Sequence, residues 1–457
     1  MPAAVTADWR YRILVGGYSV SSYGTFLNMV ALSLFVYATT DSALAMGLFM
    51  AVRLGAGFLT GLTAGSLLAR VAVKPVMLWM NLAQAAAMLV LAFVPDGLRT
   101  VALFVASATI GACSTVFMVA LRSSIPDLVG EERRSWANSL MVGGRSMAMV
   151  AGFASAGIVV SQLGFTAAFL LDAASFLVCA ATVIWLPDKV GRTAETGRTA
   201  EADRTADGAG TVEKAKAGRD SGRKLSVAVT ALAAVPAMGL MVILRGVDAL
   251  GSSSHNAALP VYSSALDPGD PAAFVSRFWL FWALGNVLAQ QVIQRWVKHT
   301  GRSVGAVGFG LGTVAMSSAF ILGFAGFPIA ATLMIALVAG AADGLTEVSY
   351  TSHLQTLPET LRGHAFGISA TVENLGFGVG MIAVAAALEA FSPFSVVAWS
   401  HGVAVVVALV FLIRLMGGRG WSGRWVRRDK RSSVEGGNTD AGDPHSGRRD
   451  GAEVSGG

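Results

Sequence analysis

The stretch GRTAETGRTAEADRTADG (Gly191–Gly208) decides how this chain is organised. It repeats a six-residue unit three times, from Gly191, Gly197 and Asp203, and lies within a polar segment, Pro187 to Leu225, that no apolar run enters. With almost no side chain able to bury a core, such a segment is expected to be a flexible tether. On its N-terminal side apolar runs fall at about 12–38, 44–69, 75–94, 100–121, 137–160 and 165–186. On its C-terminal side they fall at about 236–262, 274–296, 303–325, 329–352, 364–389 and 394–416. Most approach or exceed the roughly 20 residues that cross a hydrocarbon core as a helix. Single Gly or polar interruptions are tolerated where helices pack on one another.

The pattern predicts an all-α integral membrane protein with twelve transmembrane helices in two six-helix bundles. Its expected parts are a cytoplasmic N-terminus (1–11), a first bundle (12–186), a cytoplasmic linker (187–235), a second bundle (236–416) and a disordered cytoplasmic tail (417–457). Composition agrees: 54% of the 457 residues are hydrophobic and 14% are charged, against roughly 25% charged in soluble domains. The mean hydropathy is +0.61. Arg10 and Arg12 precede the first run, and Ile13 to Ala38 is too long for a signal-peptide core, so it reads as a retained span. Cys113 and Cys179 both lie inside apolar runs, which leaves no framework for disulfides, zinc or redox chemistry.

A net charge of +6 invites a nucleic-acid reading until the charges are located. Of 34 Lys and Arg, Arg99 and Arg277 fall on one side of the spans, and Arg53, Arg145 and Arg245 fall within spans. All others occupy the termini and every second loop, the distribution of cytoplasmic segments. Both termini are therefore expected in the cytoplasm, and no nucleic-acid partner is expected. The basic tail beside the last span, from Arg419 to Arg431, is placed to rest on anionic headgroups.

An ionisable side chain at mid-membrane costs about 2.5 to 3.5 kcal/mol on insertion scales, so each calls for a partner or a purpose. The first half holds Arg53, Arg145 and Asp172, with the amide Asn28; the second holds Arg245, Asp248, Asp343, Glu347 and Glu373, with Asn374 beside it and Glu389 near an outer end. Arg245 and Asp248, three apart, can pair on one helix face. Asp343 and Glu347, four apart, share a face where their repulsion favours holding a proton. Glu373 reads as a lone acid near mid-membrane, and Arg53 and Asp172 lie at similar depth, so that an ion pair is allowed. His255 and Asn256 either line a path or serve as ordinary hydrogen-bonding residues.

Gly308-Phe-Gly310-Leu-Gly312 and Gly376-Phe-Gly378-Val-Gly380 sit inside apolar runs and follow no strand, so they read as helix-packing surfaces rather than dinucleotide loops. No G-x-x-x-x-G-K-[ST], H-E-x-x-H, G-x-S-x-G or zinc-like cluster occurs, so ATP, metal and enzymatic hydrolysis are not expected.

The loops carry a resemblance. Gly61-Leu-Thr-Ala-Gly65, then Leu68-Ala69-Arg70 and Lys74, is similar to the G-x-x-x-D-R-x-x-R-R loop of the major facilitator superfamily, with Ala69 in the place of its acid. Ile125 to Val129 with Ala137 to Leu140, and Gln355 to Pro358 with Leu361-Arg362-Gly363-His364, resemble the macrolide-efflux and enterobactin-exporter branch. His364 stands for the second Arg of that branch's pattern. Gly152 to Gly157 resembles the exporter motif G-P-x-x-G-G without its proline. The resemblance implies a rocker-switch transporter of the cell (inner or plasma) membrane that binds cargo between its bundles, with Gly61, Gly65, Arg70, Lys74, Arg362 and Gly363 in gating loops.

The expected function is secondary export of a small organic compound (drug-like, a natural product or a siderophore) by proton antiport. Glu373, then Glu347, Asp248 and Asp343, are the candidate proton carriers. Arg245, Arg53, Arg145, Asp172, Asn28 and Asn374 are candidates for meeting cargo or tuning those acids. No cofactor beyond the proton gradient is expected; the partners are the cargo, protons and the bilayer. The alternatives are a proton-coupled importer or facilitator and, less favoured, a non-transporting sensor or scaffold.

Overall fold

The computed structural model describes residues 2–187, 236–302, 304–357 and 359–417. The linker repeat and the residues beyond 417 lie outside the described residues. Among the described residues eleven α-helices follow one another: α1 (Pro2–Thr40), α2 (Ala43–Leu68), α3 (Val73–Phe93), α4 (Arg99–Val129), α5 (Arg134–Ile184), α6 (Pro236–Leu266), α7 (Pro271–Thr300), α8 (Gly305–Gly323), α9 (Ile329–Gln355), α10 (Glu359–Leu388) and α11 (Pro393–Gly417). No strand occurs among the described residues.

Helix α5 is two rods in one. Gly164 inside it has φ 79° and ψ 176°, a left-handed value open to glycine because no Cβ meets the backbone. The chain therefore reverses at one residue, and the fifth and sixth apolar runs of the sequence are both present as rods. Twelve rods result. Ten helices, counting α5 once, are long and apolar enough to cross a membrane. The exception, α6, carries Arg245, Asp248, Ser252, Ser253, Ser254, His255 and Asn256, which lower its hydropathy.

Local chemistry sets the rod ends. Ser42 accepts the Ala45 N–H at the start of α2, and Asp270 accepts the Ala273 N–H at the start of α7, each meeting a donor that has no partner within its helix. Gly301, at φ 66°, closes α7 with its N–H on the Val297 carbonyl.

Small residues allow rods to approach within each bundle. Gly24 of α1 faces Asp172 and Ser175 of α5, and Gly152 of α5 faces Tyr23 and Phe26 of α1. Gly376 of α10 meets the Gly246 backbone of α6, and Gly312 of α8 meets Thr346 of α9, so both glycine runs are packing surfaces. Lys74, at the first turn of α3, donates to the Leu186 carbonyl at 2.8 Å and ties the α2–α3 loop to the end of α5.

Antiparallel alternation puts the start of α1, the end of α5 and the start of α6 on one side of the rods; we call it the linker side and the other the far side. The bundles touch toward the far side. Gly47 of α2 packs on Met381 and Ala385 of α10, and Gly157 of α5 packs on Ala272 and Ser276 of α7. The Ser276 hydroxyl donates to the Phe153 carbonyl. Ser161 donates to Asp270 at 2.5 Å, and Glu389 accepts from the Ser42 hydroxyl at 2.8 Å and the Leu44 N–H at 2.9 Å. On the linker side the same pairs, α2 with α10 and α5 with α7, border cavities instead.

Candidate functional site

The second bundle gathers its ionisable residues around one guanidinium. Arg245 of α6 donates through Nη2 to Glu347 Oε2 of α9 at 2.7 Å and to Glu373 Oε1 of α10 at 3.0 Å. Its Nη1 lies 3.9 Å from Asp248 Oδ2, one turn along α6. The Tyr350 ring of α9 sits under the guanidinium, 5.4 Å from its carbon. Three helices thus converge on one cation, which offsets the cost of keeping charge at this depth.

The i,i+3 pair of Arg245 and Asp248 is present at 3.9 Å, but the shorter contacts of Arg245 run to other helices, and one expectation is corrected. Glu373 is not a lone acid. The reason lies in tertiary packing: Arg245 finds partners 102 and 128 residues away that present better-placed oxygens than its own helix neighbour.

Asp343 is held from another direction, by the Asn286 amide of α7 at 3.0 Å; Gln290 in turn donates to Asn286 at 2.8 Å. Glu347 also accepts from Thr351 at 3.3 Å. Asp343 and Glu347, neighbours in sequence, therefore have different partners. Both line a cavity of about 380 Å³ with Arg245, Asp248, Glu373 and Asn374. The side chains of Glu347 and Glu373 are 46% and 41% exposed, against 4% for Asp248. Two acids thus face the opening and one lies beneath.

A second cavity of about 320 Å³ adjoins the first, sharing Leu54 and Asn374 as walls. Arg53, Gly61, Ser114 and Thr115 line it from the first bundle, and Thr371 from the second. Arg53 and Asp172, whose similar depth allows an ion pair, form none among the described residues. Asp172 instead accepts the Asn28 amide at 2.6 Å and the Ser175 hydroxyl at 3.4 Å, and is buried between α1 and α5. The Asn28 amide also lies 3.0 Å from Met88 Sδ. Asn28 and Asp172 are therefore sealed inside the first bundle. Arg145 lies apart, with Nη1 on the Tyr18 hydroxyl at 3.3 Å and its guanidinium over Phe26 at 5.1 Å.

The residues expected in gating loops mostly fall in helices: Gly61 and Gly65 lie inside α2, whose apolar run already holds them, and Lys74 in the first turn of α3, which begins ahead of its run, and Arg70 alone of these sits between helices. Gly61 lines the second cavity, Gly65 and Arg70 are exposed, and Arg70 makes no ion pair among the described residues. Arg362 and Gly363 fall in the first turns of α10. His255 lines neither cavity. Its Nδ1 lies 3.1 Å from His401 Nε2, its Nε2 lies 3.2 Å from the Asn256 amide, and His401 Nδ1 lies 3.1 Å from Ser317 Oγ. The His255 ring is stacked on Phe320 at 3.6 Å. One proton per ring satisfies the whole row, so these residues act as a packed polar lock.

Sequence reasoning passed over Asn286, Tyr350 and Thr351. Asn286 carried a readable signal, an amide four residues before Gln290 and so on the same helix face, just after the apolar stretch Phe278–Leu284. Tyr350 and Thr351, three and four residues beyond Glu347, gave none that separates a site residue from a helix-packing one.

Two bundles of rods that close toward one side and enclose a charged cavity on the other define a membrane transporter of small molecules. The family model of the Major Facilitator Superfamily matches residues 14–265, more than half the chain, and the protein belongs to that superfamily. No curated protein matches the sequence. Among solved structures, the nucleoside transporter NupG is similar with a TM-score of 0.66 at 14% identity, covering 90% of this chain and 99% of its own. A peptide transporter POT in complex with sulfate is similar with a TM-score of 0.63 at 16% identity, covering 88% of this chain and 94% of its own. At such identities the likeness is one of fold.

Proposed function

We propose that the protein is a proton-driven secondary exporter of a small organic compound, drug-like, a natural product or a siderophore, of the macrolide-efflux and enterobactin-exporter branch. It works in the cell membrane with linker and termini in the cytoplasm, as the placement of Lys and Arg supports. The observation that carries the coupling is the arrangement around Arg245: one cation faces three carboxylates, with Asp343 a fourth on the same cavity. One guanidinium cannot neutralise four acids, so the cavity holds more carboxylates than its cation can pair.

Cargo entering from the linker side displaces a proton from Glu373 or Glu347, the exposed members. Rocking of the bundles then carries cargo to the far side, where a proton takes its place. No cofactor or ATP enters this scheme; the proton gradient supplies the work. Export rather than import rests on the loop resemblance and is decided by direction of flux.

The test reconstitutes the protein in liposomes and follows proton release on addition of transported compound, for wild type and Glu373→Gln. We expect Glu373→Gln to lose coupling by at least about tenfold while the protein remains folded. Unchanged coupling overturns the assignment, and accumulation of cargo against the expected direction under an imposed pH gradient makes the protein an importer.

A further inference from the structure

We propose that the cargo is dipolar, a compact organic molecule with an ammonium group seated on Asp248 and the exposed glutamates, and an anionic group reaching Arg53 across the cavity. This rests on the transport reading above and adds the chemical class of the substrate.

Two charged groups, one in each bundle, lack adequate partners among the described residues. The first is Arg53. Its guanidinium presents five donors, yet it makes no hydrogen bond or ion pair among the described residues. Asp172, the acid of the first bundle whose charge it feels, has turned to Asn28 and Ser175. The second is Asp248, whose side chain is 4% exposed, whose nearest cation is 3.9 Å away, and whose Oδ1 is buried with no hydrogen-bond partner. An unmatched buried charge such as that of Asp248 is costly, and Arg53, half-buried, presents its donors to the adjoining cavity. A group that completes them from the cavity gains what the protein has left unmade.

The placement of the two gives the cargo its polarity. Arg53 and Asp248 line adjoining cavities that share Leu54 and Asn374, so one molecule can span them. Phe58 on one side and Phe377 on the other offer apolar walls for its body. A neutral cargo would leave both charges unmatched. An amine alone would serve the acids and leave Arg53 bare; an anion alone would meet repulsion from four carboxylates. Only a molecule bearing both signs matches both walls.

The test uses purified protein in detergent and a panel of ligands built on common ring bodies in three charge forms: tryptophan, tryptamine and indole-3-propionate, with larger analogues of each. Binding is read from the rise in melting temperature with ligand concentration. We expect dipolar members to bind most tightly, and Arg53→Gln to weaken them about tenfold, the loss of one charge-assisted contact, while leaving the amines within about twofold. Asp248→Asn is expected to weaken dipolar members and amines together. Arg53→Lys, which keeps the charge, is expected to restore part of the preference, and separates charge recognition from damage to the fold. Amines binding as tightly as dipolar members, an unchanged profile in Arg53→Gln, or no binding by any dipolar member overturns the proposal. Charge preference and coupling are measured separately. If dipolar ligands bind but Glu373→Gln still couples, the coupling scheme fails and the cargo class stands. If Glu373→Gln loses coupling but dipolar ligands hold no preference, the coupling scheme stands and the cargo class fails.

Discussion

Gly111 of α4 lets the carbonyl of Arg53 on α2 come close, and Gly340 of α9 does the same for the carbonyl of Trp282 on α7. The two contacts occupy the same place in the two halves, second rod against fourth. The treatment of charge does not repeat. The first bundle holds Arg53 and Arg145 against Asp172, a formal +1, and seals its acid between α1 and α5. The second holds Arg245 against Asp248, Asp343, Glu347 and Glu373, a formal −3, and opens two of these to a cavity. A duplicated frame thus carries an internal polar brace in one half and a titratable cluster in the other, which is where proton chemistry is expected to reside.

The severest way to break this contrast is to remove the cation on which the second cluster depends. Arg245→Gln leaves Glu347, Glu373 and Asp248 facing one another without compensation. We expect it to abolish transport and to destabilise the protein by about 3–5 kcal/mol, the usual cost of unpairing a buried charge, measured by thermal unfolding. Arg245→Gln combined with Glu373→Gln should recover part of that stability and none of the transport. Equal stability of the single and double variants would mean the acids do not depend on Arg245.

The shared frame is probed by making one lesion in both halves. A methyl group at Gly111 or at Gly340 meets a backbone carbonyl that cannot step aside without moving its helix. Each Gly→Ala change is expected to cost about 1–3 kcal/mol, as overpacking generally does. Comparable melting losses in the two variants would support the repeat. A loss confined to one half would show that the bundles carry their rods differently.

How far the sequence discloses this contrast differs from residue to residue. The rods and the turn near residue 164 are legible because membrane spans must be long, apolar and internally hydrogen-bonded, so hydropathy marks every rod but the polar α6, which its length and place in the series supply. The ionisable residues are legible for the same reason: each stands out against its run. Their pairing is not. Arg53 and Asp172 agree in depth, but the rotation of α5, set by Gly24 and Gly152 against α1, carries Asp172 toward Asn28. Arg245 and Asp248 agree in spacing and do meet at 3.9 Å, but the shorter contacts of Arg245, to α9 and α10, have no local signal. Depth follows from position along a rod, whereas azimuth follows from the neighbours a rod has, and only the first is written locally.

A milder change sharpens the reading of the first bundle. Asp172→Asn keeps an acceptor for the Asn28 amide and removes the charge, so the expected cost is about 1 kcal/mol, the difference between a charge-assisted and a neutral hydrogen bond. Transport should persist. A loss of coupling comparable to that of Glu373→Gln would place proton chemistry in both bundles and dissolve the contrast.

The smallest effect lies where the bundles meet. Glu389, just past the end of α10, accepts the Leu44 N–H and the Ser42 hydroxyl at the start of α2, and these bonds hold its carboxylate below the ordinary glutamate range. The helix N-terminus favours the same charge. A group whose value is lowered by a contact supports that contact while ionised and gives it up as pH falls through the lowered value. The far-side closure should therefore be insensitive to pH near neutrality and loosen only in acid, below where a free glutamate titrates. Spin labels on cysteines introduced by Thr40→Cys and Phe391→Cys would report it, since native Cys113 and Cys179 are buried. Glu389→Gln should remove the acid-dependent widening. Widening that begins near neutral pH, or that survives in Glu389→Gln, would assign far-side closure to the apolar contacts of Gly47 and Gly157, and leave charge to act in the cavity of the second bundle alone.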